Sequence, residues 1–431
     1  MSYLEMKCAL DRALVPATNS ETELKCLVKI WPSEELRSSE SRVAISASVC
    51  LVIDCSASMA NEGKYQAAIE ASKAIVDTLS ETQRVSLVAF QSKVRELVTD
   101  LLATPENKNQ IKQQIDEIRG FVGGSTHMTG GIKHATNVLV KSQAEAKIMI
   151  LVSDGAADFP ETAEIAAINA ADQKIQLFAV GIGAEYKADQ LLRMTIPSNG
   201  TVFDATDVSK IKTTFESLVG RIENFVATNA ILEIKFPDLV QAGLAYKASP
   251  EQAFIGNMQL SDTRVAQFRV GSLEKDKAYS FMFLATVPQH DPGDFKVCDV
   301  KLTFDVPSLT MTNAFVQDVL LVTYTGDART AEELNGEVME IFRRVSITQL
   351  ADRFVVAYEQ NDNNGAAKYL RILIKRYDEI GDIAMKNHYL ALQQDFLAGG
   401  KITNEMLNAS VVASTVVSGG GELPGIVDDS F

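Results

Sequence analysis

The residues best suited to chemistry form one short polar turn, Asp54-Cys55-Ser56-Ala57-Ser58. This turn presents one carboxylate and two hydroxyls at alternate positions, so all of its donor atoms are oxygens. Oxygen donors suit a small hard cation such as Mg2+, with Mn2+ or Ca2+ as alternatives. The turn alone is a weak signal, because an aspartate followed by serines is ordinary turn chemistry. Whether the turn can bind a metal ion depends on the strands and loops that surround it.

Two apolar runs place further oxygen donors beside this turn. Residues 49–53 precede the turn and are all apolar, which predicts a strand buried on both faces of a parallel sheet. Such sheets bind ligands at the carboxyl edge of their strands. A second buried run at 148–152 ends in Ser153-Asp154-Gly155 and brings a second carboxylate to that edge. Thr126 follows a Gly-Gly-Ser turn and offers another hydroxyl.

This constellation resembles a von Willebrand factor A domain that carries a metal-ion-dependent adhesion site. In that family, an Asp-x-Ser-x-Ser turn, a threonine and an aspartate on three loops hold one divalent ion. The matching residues here are Asp54, Ser56, Ser58, Thr126 and Asp154. Thr129 is the alternative threonine, but it is better suited to a helix N-cap, so Thr126 is preferred. The family often has glycine where Ala57 stands.

The resemblance implies that this protein recognises a partner protein through an acidic side chain of the partner. The ion would contact Ser56, Ser58 and Thr126, with the two aspartates close by directly or through water. One outward position would then be open to a carboxylate from a partner protein. His127 is interpreted as a rim residue, because the site is built from oxygens. Cys55 is assigned a packing role, because no histidine base is predicted near it.

Composition and charge limit the classes of partner and the cellular locations that we expect. A net charge of −15 and the lack of a basic stripe argue against nucleic acid as a partner. The chain has no basic N-terminal segment followed by an apolar stretch, and no apolar run approaches the roughly 20 residues needed to span a bilayer. Five scattered cysteines favour reduced thiols. We therefore expect a soluble, cytoplasmic protein that does not bind membranes.

The 431 residues are expected to form several domains. Alternating patterns at residues 1–42 predict the N-terminal strands of an antiparallel β-sandwich, and similar patterns at 226–328 predict the rest of it. Between them, residues 43–225 alternate strands and helices in the order βαββααβαβαβα, which predicts a doubly wound, Rossmann-like α/β domain with one antiparallel edge strand. Three helices are predicted at 329–410, and residues 411–431 are predicted to be a flexible tail.

The function indicated is a metal-dependent protein-binding module that acts as a scaffold or regulatory component of a cytosolic complex. A metal-dependent hydrolase is one alternative, but the sequence offers no evident general base, second metal cluster or nucleotide loop, so no enzymatic activity is expected. A surface adhesin or channel-associated protein is another alternative. The sequence identifies neither the partner nor the oligomeric state.

Overall fold

The computed structural model describes residues 3–17, 21–38, 45–60, 63–155, 157–183, 186–205, 217–327, 331 and 333–415. Most of the predicted tail, residues 416–431, lies outside this part of the chain. No helix in the described ranges is both long and apolar enough to cross a membrane.

The chain begins with elements that belong to a sheet completed much later in the sequence. These are β1 (Leu4–Leu10), β2 (Leu14–Pro16), β3 (Thr22–Pro32) and the short helix α1 (Glu34–Ser38). β1 and β3 pair antiparallel, with Leu10 opposite Cys26.

The α/β domain follows, and its element order confirms the prediction. Its elements are β4 (Ala47–Asp54), α2 (Lys64–Thr78), β5 (Arg84–Phe90), β6 (Val94–Leu102), α3 (Pro105–Glu117), α4 (Met128–Lys141), β7 (Ala146–Ser153), α5 (Pro160–Asp172), β8 (Ile175–Ile182), α6 (Ala188–Thr195), β9 (Val202–Ala205) and a helix described at 217–223, α7. The sheet order is β6-β5-β4-β7-β8-β9. Only β6 runs antiparallel, at one edge. Every residue of β4 and β8 is buried, because helices cover both faces of the sheet.

The chain then returns to the sandwich. The remaining strands are β10 (Phe225–Lys235), β11 (Gln241–Ser249), β12 (Ala253–Asn257), β13 (Val265–Glu274), β14 (Tyr279–Val287), β15 (Gly293–Val306) and β16 (Met311–Thr325). One sheet has the order β1-β3-β14-β11-β12 and the other β13-β10-β15-β16-β2. Strands from both flanks share each sheet, which confirms that the α/β domain is inserted into a sandwich. The alternation pattern had indicated neither β11 nor β12.

Four helices close the described chain, where three were predicted. They are α8 (Gly336–Glu359), α9 (Asn363–Glu379), α10 (Ile383–Leu397) and α11 (Asn404–Thr415), so helical structure continues past the boundary predicted at residue 410. Asn335, Asp362 and Asp382 cap three of them by accepting hydrogen bonds from backbone N–H groups.

The helical region packs on both of the other parts of the molecule. Val338 and Val345 of α8 join a buried cluster with Tyr246 and Met282 of the sandwich. Further along α8, Phe354 belongs to a larger cluster that includes side chains from one face of the α/β sheet. The helical region therefore shares one apolar cluster with the sandwich and another with the α/β domain.

Candidate functional site

The predicted turn lies at the end of β4, in the middle of the α/β sheet. Asp54 is fully buried, and each of its carboxylate oxygens accepts a hydrogen bond. Oδ1 accepts from the Ser56 N–H at 2.8 Å, and Oδ2 accepts from the Ser153 hydroxyl at 2.6 Å. A short 3-10 helix, Ala57–Ala60, folds the chain back so that the Ser56 and Ser58 hydroxyl oxygens lie 3.1 Å apart.

The glycine-rich loop is bonded directly to this turn. The Gly123 N–H donates to the Cys55 carbonyl at 2.8 Å, and the Ala57 N–H donates to the Gly124 carbonyl at 3.0 Å. Gly124 has φ +76°, and a Cβ there would lie 2.3 Å from side-chain atoms of Gln91 and Ser92. The positive φ favours glycine at this position.

Thr126 is held at the end of that loop by Asp158. The Thr126 N–H donates to Asp158 Oδ1 at 3.0 Å, and the Asp158 N–H donates to the Thr126 carbonyl at 3.2 Å. Thr126 is also buried.

The third loop carries Asp154, and a lysine approaches it. Lys64 Nζ lies 3.5 Å from Asp154 Oδ2, and both side chains are largely buried. The lysine stem lies against Gly183, where a Cβ would come within 2.7 Å of Lys64 Cε. Lys64 is the first residue of α2, where the helix dipole disfavours a positive charge, so the Asp154 carboxylate accounts for its position.

The buried position of Asp54 disfavours the ionised form of its carboxyl group. Burial raises the pKa of its carboxyl to about 6, although the hydrogen bonds from Ser153 and Ser56 act in the opposite direction. Among the described residues, no lysine, arginine or histidine forms an ion pair with it. A buried carboxylate without a cation is costly, and a divalent ion at this edge would offset the cost.

The donor set fits a small divalent cation. Adjacent ligands of an octahedral Mg2+ ion at about 2.1 Å lie about 3.0 Å apart. The 3.1 Å between the Ser56 and Ser58 hydroxyl oxygens matches that spacing. In the described part of the chain, no three His, Cys, Asp or Glu side chains are grouped to hold a metal ion. A site here would therefore depend on hydroxyls as well as carboxylates.

The structure brings the three predicted loops to one edge of the sheet. Thr129, in contrast, is not the N-cap of α4: His127 occupies that position without a capping side-chain bond, and the Thr129 hydroxyl lies 2.7 Å from that of Thr162. His127 is exposed, in keeping with a rim position. Cys55 is buried, and burial raises the pKa of its thiol.

Sequence reasoning did not assign roles to three residues at the site. Ser153 orients Asp54, Asp158 anchors Thr126, and Lys64 pairs with Asp154. Ser153 could have been recognised as a polar residue at the end of a buried strand. The other two depend on the tertiary fold and leave no local pattern.

Comparison with known proteins identifies the central domain. The family model of the von Willebrand factor type A (VWA) domain matches residues 48–217. An uncharacterised protein from Synechocystis sp. is 23% identical over 336 residues, which cover 76% of this chain and 77% of that protein.

Two solved structures share the architecture. A von Willebrand factor type A protein from Catenulispora acidiphila superimposes with a TM-score of 0.79 at 17% identity, covering 96% of this chain and 98% of that one. The ArnB paralog VWA2 from Sulfolobus acidocaldarius gives 0.62 at 14% identity, with the same coverages. These likenesses concern the fold alone. The chain contains a VWA domain, as its motifs predicted.

Proposed function

We propose that this VWA domain protein recognises a partner protein through a divalent ion held by Asp54, Ser56, Ser58, Thr126 and Asp154. VWA domains are generally protein-interaction modules. The observation that carries the proposal is the buried Asp54 carboxylate, which is oriented by two donors and pairs with no cationic side chain among the described residues. When bound, Mg2+ would supply a positive centre that a partner's carboxylate can contact.

The protein's own residues would prepare this contact. Ser153 and the Ser56 N–H fix the orientation of Asp54, and Asp158 fixes the backbone of Thr126. Fixed donors lower the entropic cost of binding the ion and its ligand. Exposed His127 and Phe159 lie on the neighbouring loops, where a partner could contact them.

We also propose a non-catalytic role in a cytosolic complex. Cys55 is buried and its thiol pKa is raised, which disfavours it as a nucleophile. The sandwich and helices pack on the VWA domain and would position it in an assembly, as a scaffold does. Cell fractionation tests the cytosolic location. Phosphatase and peptidase assays with Mg2+ or Mn2+ test whether the protein is non-catalytic.

Binding of the ion is tested with the variant Asp54→Asn, which keeps the shape of the side chain and removes its charge. The wild-type chain is expected to gain about 2.7 kcal/mol of unfolding free energy when Mg2+ is present at about 100 times its Kd. Asp54→Asn should lose this gain, and it should remain folded in EDTA because it removes a penalised buried charge. Urea unfolding in Mg2+ and in EDTA measures both quantities.

The control is Asp116→Asn, which changes an exposed aspartate of the same domain that pairs with Lys73. It should respond to Mg2+ as the wild type does. Affinity purification in Mg2+ and in EDTA then identifies the partner. Binding is measured again with partner variants in which each surface carboxylate is replaced by an amide. Equal capture in EDTA, or by Asp54→Asn, would contradict the proposal.

A further inference from the structure

The segment 186–188, which follows β8 and includes the first residue of α6, supports the loop that carries Asp154. The Lys187 N–H donates to the Asp154 carbonyl at 2.9 Å. Gly155 has φ +74°, and a Cβ at this position would lie 2.9 Å from the Lys187 carbonyl oxygen. The two backbones are therefore in direct contact, and a shift of segment 186–188 would be transmitted to Asp154.

A residue from the C-terminal helix holds this segment on both sides. Asn408 of α11 is buried, and its side-chain amide uses both of its polar ends. Its Nδ2 donates to the Tyr186 carbonyl at 2.5 Å, and its Oδ1 accepts from the Ala188 N–H at 3.1 Å. These two hydrogen bonds bracket Lys187, which lies between the two bonded residues in the chain.

Other contacts also anchor α11. Leu407 and Val411 are buried in the apolar cluster shared with the α/β domain. The Thr415 carbonyl accepts a hydrogen bond from the Gln252 N–H of the sandwich at 2.8 Å. A buried amide adds no apolar packing, and it is tolerated only when its hydrogen bonds are made in a specific geometry. Its particular contribution is to fix the backbone at 186–188.

We infer that Asn408 is a positioning residue for the metal site: it holds segment 186–188, which in turn holds the Asp154 backbone. This inference rests on the proposed function. Replacement of Asn408 should weaken Mg2+ binding by roughly three- to tenfold, less than the 10- to 100-fold typical of groups that contact a metal ligand directly.

The test uses the full chain with Asn408→Leu, which keeps the branching and the number of heavy atoms of the side chain and removes both hydrogen bonds. The matched control is Val411→Ala, which loosens the same helix one turn further on and leaves those bonds in place. Isothermal titration with Mg2+ gives the affinity. Hydrogen exchange of the Lys187 amide in EDTA reports on its bond to Asp154 without any metal.

Support requires weaker Mg2+ binding and faster Lys187 exchange in Asn408→Leu, with Val411→Ala unchanged in both. If the wild type binds Mg2+ and Asn408→Leu binds it equally well, or if Lys187 exchange is unaltered, only this inference fails. Equal weakening by Val411→Ala would also overturn it, because general anchoring of α11 would then be the cause. If the wild type binds no Mg2+, the proposed function fails, and the inference fails with it.

Discussion

At the scale of single residues, Lys64 is the natural competitor of the proposed ion. Its ammonium group approaches Asp154, so this carboxylate already has a counter-charge, whereas Asp54 forms no ion pair within the described ranges. The pair is largely buried, where an interaction between charges is stronger than at an exposed surface. Lys64 should therefore influence how tightly the candidate site binds the proposed ion.

Replacement of this lysine tests that role. In Lys64→Met, the stem is retained while the positive charge is lost, so Asp154 loses this counter-charge and the proposed ion is no longer repelled by Lys64. We expect Mg2+ to bind roughly three- to tenfold more tightly, measured by isothermal titration. Lys73→Met is the control, because that lysine lies on the same helix and pairs with the exposed Asp116. An affinity equal to or weaker than that of the wild type would show that Lys64 does not compete.

At the scale of elements, the sequence was most informative where strands are uniformly apolar. β4 and β7 stand out because burial on both faces leaves unbroken apolar runs, and their ends located the candidate site. β11 and β12 have no such pattern: β11 contains Gly243 and three alanines, and β12 is only five residues long. Helix α11 was missed for a related reason. Its serines, threonine and valines favour a helix weakly, and contacts with distant parts of the chain stabilise it.

A cluster of buried charges joins α7 to the sandwich. Arg221 of α7 pairs with Glu251 at 2.7 Å and with Glu274 at 2.9 Å, and Lys247 pairs with Glu251 at 2.9 Å. Burial alone would raise the pKa of Glu251, but the charges of Lys247 and Arg221 outweigh it and lower the pKa to about 2. Ionised Glu251 therefore stabilises the fold.

Glu251→Gln should cost roughly 2–3 kcal/mol of unfolding free energy at pH 7, because Lys247 and Arg221 lose their shared partner. A carboxyl with a lowered folded-state pKa contributes stability above its unfolded value, near 4.5, and loses it as the pH falls towards 2. The difference between wild type and variant should therefore shrink over that range in urea unfolding.

The control for this comparison is Glu340→Gln, which removes an exposed partner of Arg344 on α8. It should stay within about 0.5 kcal/mol of the wild type at both pH values. A difference between wild type and Glu251→Gln that is independent of pH would contradict the assignment.

At the scale of the whole molecule, the shared apolar clusters predict that the helices and the α/β domain stabilise each other. Phe354 of α8 is fully buried in the cluster that reaches the α/β sheet. Phe354→Ala should cost about 3–5 kcal/mol and should speed hydrogen exchange in both β8 and α9.

Phe315→Ala is the matched control, because that ring is more than half exposed on β16. It should change the unfolding free energy by no more than about 0.5 kcal/mol. Faster exchange in Phe354→Ala confined to the helices would mean that the α/β domain is stable on its own.

The insertion of one domain into another also has a consequence during synthesis. β3 pairs on one side with β1, which is made before it, but on the other side with β14. At about 5 to 20 residues per second, the roughly 250 residues that separate these partners take roughly 12 to 50 s to translate. Throughout that interval a β1–β3 pair formed on the ribosome would have an open edge, while the inserted domain has time to fold. The sandwich can be completed only after β14 is made, and the open edge of its first strand pair is where a chaperone would be most useful.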